Sequence, residues 1–312
     1  MGLRAAWRFA AVIALGGLVA GATTAAASPE PAQAHDTAAV SSLGNRDGAP
    51  VAARYAANER ALRTNDDPEP VGRLLEYQPR GNGRIVEVMG DLAGARRVAV
   101  LVPGMGWGLH RVLTERDHNP NGPVMGAVAL ARQMRRVAPG VPSAVIMWLG
   151  YHPPGGIDLD VMRSDRAIAG AGRLVRFLRD LPGRSRVTLV CHSYGAVVCG
   201  HAAPRLPHRV RDMVAMAAPG MDVRTAGGLR TTARVWAGRA ADDPIRFTPF
   251  VRVAGFGHGT DPTTPRFGAT VIRTGSARGH SHYFNPGTES LNNLARIAAG
   301  HRSEVTRVAD AS

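Results

Sequence analysis

The sequence predicts an α/β fold, with a mostly parallel central sheet flanked by helices on both faces and an N-terminal helical extension. Three observations carry this expectation. The runs at 97–102, 143–149 and 186–190 are almost continuously apolar, as strands are when both faces of a parallel sheet are covered. Between them, the stretches 123–137 and 164–181 place apolar residues at helical spacing, so strands alternate with helices. At 312 residues and 45% hydrophobic content, the chain has enough material for one large core.

Arg4 and Arg8, the uncharged stretch 9–29 and the small residues after it read as a secretory signal over 1–34, cleaved after residue 27 or 34. The alternative is an uncleaved anchor, although the Ala/Gly-rich stretch is only weakly hydrophobic. Residues 35–82 form a flexible, then helical extension: 51–63 suits a helix and Asn65-Asp66-Asp67-Pro68 stops it. The main domain runs over 83–302, and 303–312 is expected to be a disordered tail.

Within the domain, 84–89 alternates as a short strand, and the strand 97–102 ends at Pro103-Gly104-Met105-Gly106. The helix 123–137 stops at Pro139-Gly140, and strand 143–149 leads into a loop at 150–156. Ser164 suits the N-cap of the helix that follows. Strand 186–190 precedes a small-residue helix at 196–203. Three more strands are expected at 212–217, 233–238 and 269–275, and a helix at 288–299 with Gly300 as its stop.

All 38 basic residues are arginine, against 24 acidic ones, giving a net charge of +14. With abundant Ala, Gly and Pro this pattern fits a GC-rich genome better than selection for a basic surface. No block of basic residues interleaved with aromatics points to nucleic acid. Peripheral association with an anionic cell envelope is compatible with the charge. Oligomeric state leaves no mark. Only two cysteines occur, Cys191 and Cys199. They read as buried, unbridged small residues, because a helix running back along the strand is expected to carry Cys199 below Cys191, beyond the ~7 Å bridging limit. No cofactor motif or zinc spacing is present.

The chemistry-bearing stretch is Cys191-His192-Ser193-Tyr194-Gly195, between a strand and a helix. A serine on such a sharp turn is presented as a nucleophile, and only small residues fit two positions to either side. A hydroxyl needs an imidazole to take its proton and a carboxylate to orient that imidazole. The loops after the next strands supply both in order: Asp242 and Asp243, then His280 and His282. Asp243 is the expected acid, because the following Pro244 and Ile245 fix a turn that aims it over the sheet edge. Asp242 is the alternative and Asp222 a weaker third. His280, preceded by Gly279, is the expected base and His282 the alternative. The two histidines have no accompanying ligands to form a metal site. His192 is expected to anchor or pack. The oxyanion of an acyl-transfer intermediate is expected to meet the backbone N–H groups of Met105 and Tyr194.

These motifs resemble a family of uncharacterised, often exported actinobacterial α/β-hydrolases (DUF1023). The matching residues are Gly90-Asp91, Val102-Pro103-Gly104-Met105, Trp148-Leu149-Gly150-Tyr151, Val190 through Gly195, Gly259-Thr260-Asp261-Pro262, Phe267-Gly268-Ala269, and Gly279 through Phe284 running into Ser290-Leu291. The likeness spans about 58–300. It implies the α/β-hydrolase fold, Ser193 as nucleophile and His280 as base, and brings no established substrate. The chain departs from the family at Cys191, where glycine is usual, and at His152, where an acidic residue is expected. The resulting expectation is a secreted serine hydrolase acting on an ester or thioester of a small-molecule or lipid acyl substrate, through an acyl-enzyme. A cell-envelope acyltransferase with the same triad, or a non-catalytic binding protein on this fold, are the alternatives. The loops 151–163 and 254–267 are expected to cover the pocket.

Overall fold

The computed structural model describes residues 50–308. The expected signal and the lead-in that follows it, up to residue 49, lie outside the described residues, as do 309–312. Eight strands form one sheet in the order β1-β2-β4-β3-β5-β6-β7-β8. β1 (Arg73–Gln78) pairs antiparallel with β2 (Arg84–Met89), and β2 antiparallel with β4 (Ser143–Leu149). Every other pairing is parallel, through β3 (Arg97–Val102), β5 (Arg186–His192), β6 (Val210–Met216), β7 (Arg234–Gly238) and β8 (Thr270–Val271).

Parallel neighbours need crossover connections, and helices supply most of them. α1 (Val51–Thr64) precedes the sheet; α2 (Leu109–Glu115) and α3 (Pro123–Val137) join β3 to β4; α4 (Asp165–Asp180) joins β4 to β5. α5 (Gly195–Ala202) joins β5 to β6, and α6 (Glu289–Ala299) follows β8. Side chains alternate across each strand, so β3 feeds two cores. Val98, Val100 and Val102 pack with Leu174 of α4 and Val197 of α5. Ala99 and Leu101 pack with Val112 of α2, Leu130 of α3 and Leu294 of α6. Both faces being covered is the physical reason these strands read as unbroken apolar runs. Among the described residues, no helix is long and apolar enough to cross a membrane.

The structure departs from expectation in four places. β1 belongs to the sheet rather than to an extension, and Asn58 Nδ2 ties α1 to it by donating to Leu74 O at 3.1 Å. The strand expected over 269–275 is only Thr270–Val271, because the chain then turns to meet the C-terminal segment: Arg273 N donates to Thr306 O at 3.0 Å and Val308 N to Val271 O at 2.9 Å. For the same reason residues 303–308 are not a loose tail. Val305 is buried and Thr306 N donates to Asn293 Oδ1 at 3.0 Å. Finally, α2 forms where no helix was expected, seating Leu109, Val112 and Leu113 against the sheet.

Candidate active site

β5 ends at His192 and α5 begins at Gly195, so Ser193 and Tyr194 make the whole turn. Ser193 has φ 55, in the left-handed region that a side chain adopts only under local constraint. Its N–H donates to Met216 O of β6 at 2.9 Å, which holds the strained residue in place. Close approach explains the glycines. A Cβ on Gly195 would stand 2.3 Å from Val102 O, and one on Gly104 would stand 2.6 Å from Ser193 Cβ.

Cys191 and Cys199 form a disulfide with Cα atoms 6.4 Å apart, contrary to the unbridged reading. The heights decide it. Cys191 lies two strand residues below Ser193, roughly 6.6 Å at 3.3 Å per residue. Cys199 lies four residues into α5, roughly 6 Å at 1.5 Å per residue, so the two side chains stand level. Both are fully buried, and the bridge closes the base of the serine turn.

The structure brings Ser193, His280 and Asp243 together. His280 Nε2 lies 2.8 Å from Ser193 Oγ, and His280 Nδ1 lies 2.9 and 3.1 Å from the two Asp243 oxygens. The Asp243 carboxylate is wholly buried and the His280 side chain only 23% exposed. Burial pushes the Asp243 carboxyl up, but hydrogen bonding and charge from His280, the Tyr283 hydroxyl and the Ile245 N–H together hold it below the usual carboxylate range. Tyr283 OH donates to Asp243 Oδ2 at 2.5 Å while accepting from Ala240 N at 2.8 Å. His192, under the base, lies 2.7 Å from His280 O through its Nε2, and the two rings are 5.0 Å apart. Burial, then the neighbouring His280, lowers its pKa to about 4, so the ring is neutral and Nε2–H is the donor.

The other candidates take other places. Asp242 Oδ1 accepts from Gly279 N at 2.9 Å and so holds the histidine loop rather than the imidazole. His282 opens a short 3-10 turn, His282–Phe284, and makes no hydrogen bond to Ser193 or Asp243. His152 sits half-buried on the loop after β4. Asp222 is far from a spectator. Its buried carboxylate meets His201 Nε2 at 2.6 Å, His258 Nδ1 at 3.0 Å, Arg252 and the Ser164 hydroxyl. Burial raises its pKa, yet these four hydrogen bonds hold it far below the ordinary value. His258 also reaches Val161 O through Nε2 at 2.7 Å, so the cluster ties the segment before α4 to the loop around 250–258.

Met105 and Tyr194 flank Ser193, and neither backbone N–H finds a backbone acceptor among the described residues. The Met105 loop is held from both sides: Tyr151 OH donates to Pro103 O at 2.6 Å, and Gly106 N to Pro154 O at 2.8 Å. Beside Ser193 lies an open cleft lined mainly by apolar groups from Met105, Ile157, Val161, Met162 and Ile245. Tyr283 and Tyr151 carry no role in the sequence reading, where Asp222 stands only as a third candidate acid. Tyr151 and Tyr283 do fall within the motifs matched to the family, but only the folded chain shows what their hydroxyls touch.

Comparison with known proteins identifies the family. Two uncharacterized proteins of Mycobacterium tuberculosis, MT2140 (strain CDC 1551 / Oshkosh) and Rv2079 (strain H37Rv), are each 28% identical over 269 residues. The match covers 75% of this chain but 40% of theirs, so the chain spans less than half the length of these relatives. Among solved structures, XC6422 of Xanthomonas campestris, described as an a/b serine hydrolase without lid, is 15% identical with TM-score 0.44, covering 78% of this chain and 99% of that one. A predicted CIB-like hydrolase of Thermoplasma acidophilum is 13% identical with TM-score 0.43, covering 72% and 95%. A family model described as alpha/beta hydrolase matches residues 78–253, more than half of the sequence. The chain belongs to the alpha/beta hydrolase family.

Proposed function

We propose that this protein is a serine hydrolase that cleaves an ester or thioester of an apolar acyl group through a covalent acyl-enzyme. The observation that carries the reading is the unbroken line from Ser193 Oγ through His280 to Asp243 at the side of an apolar cleft. Ser193 Oγ attacks the acyl carbonyl carbon while its proton passes to His280 Nε2. The Met105 and Tyr194 N–H groups receive the oxyanion, and Asp243 stabilises the imidazolium. The carbon–oxygen or carbon–sulfur bond then breaks as His280 hands its proton to the leaving alcohol or thiol. Water enters, gives a proton to His280 and attacks the acyl carbon; the acid leaves and Ser193 regains its proton. His192 and Tyr283 position the base and the acid without touching substrate.

Export belongs to the same proposal. A buried disulfide persists in oxidising compartments, and the N-terminal composition and the resemblance to the often exported DUF1023 proteins support the same placement. A fluorophosphonate probe tests the chemistry. Wild type should be labelled stoichiometrically and Ser193→Ala not at all; absence of labelling of folded wild type overturns the proposal.

A further inference from the structure

Among the described residues, eight large apolar side chains are exposed, and five of them, Leu159, Phe247, Val251, Val253 and Phe256, fall in two short segments. These segments are neighbours in space. Gly257 N donates to Met162 O at 2.9 Å, His258 Nε2 reaches Val161 O at 2.7 Å, and the Arg163 guanidinium lies 5.9 Å from the Phe256 ring. They are also the walls of the cleft, to which they contribute Ile157, Val161, Met162, Ile245, Thr248 and His258. Inward-facing residues therefore cover the core and the cleft, while a second apolar set on the same backbone stands 42–67% exposed.

The tip of this rim is a hydrogen-bonded turn. Val253 and Phe256 exchange backbone hydrogen bonds at 2.9 Å in each direction across Ala254 and Gly255, which have φ 49 and 85. Positive φ at both central positions is the geometry of a two-residue hairpin turn. Val253 and Phe256 are 67% and 42% exposed on this projecting tip. Behind it, Arg252 and His258 are clamped to the buried Asp222.

The charge around the rim favours one kind of partner. From 244 to 260 the chain carries Arg246 and Arg252 and no acidic residue. Arg246 is exposed, spends one donor on Ala241 O and lies over the Phe247 ring. Across the cleft, Asp160 and Asp165 are paired with Arg166 and Arg163 at 2.7 Å, and Asp158 accepts from Asp160 N at 3.0 Å. These pairs engage Arg163 and Arg166 as well, and Arg252 is held by Asp222, which leaves Arg246 as the rim cation with no carboxylate partner among the described residues, on a chain of net charge +14.

We infer that the rim formed by 157–163 and 246–256 docks on an anionic lipid surface, with the cleft receiving an acyl chain from an amphiphile held there. The docking stands on the exposed rim alone; the identity of the cleft's cargo rests on the hydrolase reading. Apolar side chains projecting beside arginines suit the headgroup boundary, where each basic residue adds roughly fivefold to partitioning and each inserted apolar side chain about tenfold or more.

The test uses full-length Ser193→Ala, so that binding is read without turnover, with sedimented vesicles of phosphatidylcholine alone or with about one third phosphatidylglycerol. The protein should sediment with the anionic vesicles, less with the neutral ones, and less again at high salt. Val253→Ser/Phe256→Ser should reduce binding at least tenfold, and Arg246→Gln about fivefold. With Ser193 intact, the double variant should keep thermal stability and turnover of a soluble short-chain ester. Wild-type failure to bind anionic vesicles overturns the inference, as does unaltered binding by Val253→Ser/Phe256→Ser, which reduces it to unspecific charge attraction. A dimer in sedimentation equilibrium that the double variant abolishes also overturns it, in favour of self-association. Vesicle binding without any esterase activity contradicts the hydrolase proposal and leaves the docking surface standing.

Discussion

Gly104 gives the sharpest single-atom perturbation of the proposed chemistry. Adding one methyl there, Gly104→Ala, places a carbon 2.6 Å from Ser193 Cβ and 3.0 Å from both Ser193 Oγ and His192 O. Ordinary contact begins at 3.4 Å, so the serine or the loop must retreat by about 0.8 Å. Backbone strain does not enter, because Gly104 is not among the positive-φ glycines. The serine turn is braced by a disulfide and by Met216 O, so the displacement falls between the Met105 N–H and Ser193 Oγ. A misplacement of about 1 Å is worth roughly a hundredfold in rate. We therefore expect kcat for a short-chain ester to fall about 100-fold with KM changed less than about threefold, and fluorophosphonate labelling to slow by the same factor. Steady-state kinetics and labelling, on protein with an unaltered circular dichroism spectrum, decide it. A folded Gly104→Ala protein within threefold of wild-type kcat refutes the placement of this loop against the nucleophile.

Asp243→Asn should lower kcat by about 10³- to 10⁴-fold through loss of imidazole orientation, while Asp242→Asn, which touches only the Gly279 N–H, should change it less than tenfold; similar losses in both would reassign the acid. Tyr283→Phe removes a hydrogen bond to the buried carboxylate and should reduce kcat about 10- to 100-fold. Because that bond helps hold Asp243 low, its loss raises the carboxyl pKa; an Asp243 carboxyl titration left unmoved by Tyr283→Phe in NMR would argue against the role. His192 predicts a stability slope. Its pKa is lowered from 6.5 to about 4 on folding, so between these values the unfolded chain binds more protons. The stabilisation from the neutral ring is full above pH 6.5 and is lost as pH falls towards 4, and His192→Gln should flatten the urea midpoint across that window. Cys191→Ala/Cys199→Ala opens a short loop and should lower unfolding free energy by about 2–3 kcal/mol in urea titrations; equal stabilities would show that the bridge does not brace the turn.

The parallel core was legible because burial on both faces leaves an unmistakable trace, the unbroken apolar runs of β3, β4 and β5. The edges were not. β1 pairs through its backbone at the sheet margin, and β8 is cut short because the C-terminal segment competes for its hydrogen bonds. Local sequence does not record a partner that arrives 35 residues later, as 307 does at 272. At the site, chain order singles out Ser193 and the loops carrying Asp242-Asp243 and His280-Ser281-His282, and the neighbouring Pro244 and Gly279 favour Asp243 and His280 within them. The turn at Pro244 forms as Pro244–Phe247, with Asp243 at its N-cap accepting from Ile245 N, while Asp242 turns its carboxylate to Gly279 N. Asp222 was weighed as an acid by its order in the chain, whereas its φ of 59 turns it towards His201, Arg252 and His258. The disulfide depends on strand rise matching helix rise across the turn, about 6.6 against 6 Å, which no local residue pattern records.

Covalent acylation of Ser193 is the central step of the proposed chemistry. Rapid mixing of the enzyme with excess p-nitrophenyl ester, quenched in acid within the first turnover, should show by intact mass one acyl group added, located by peptide mapping on Ser193. Turnover that proceeds with the acyl group on another residue, or with no adduct despite a burst of p-nitrophenol, would contradict it.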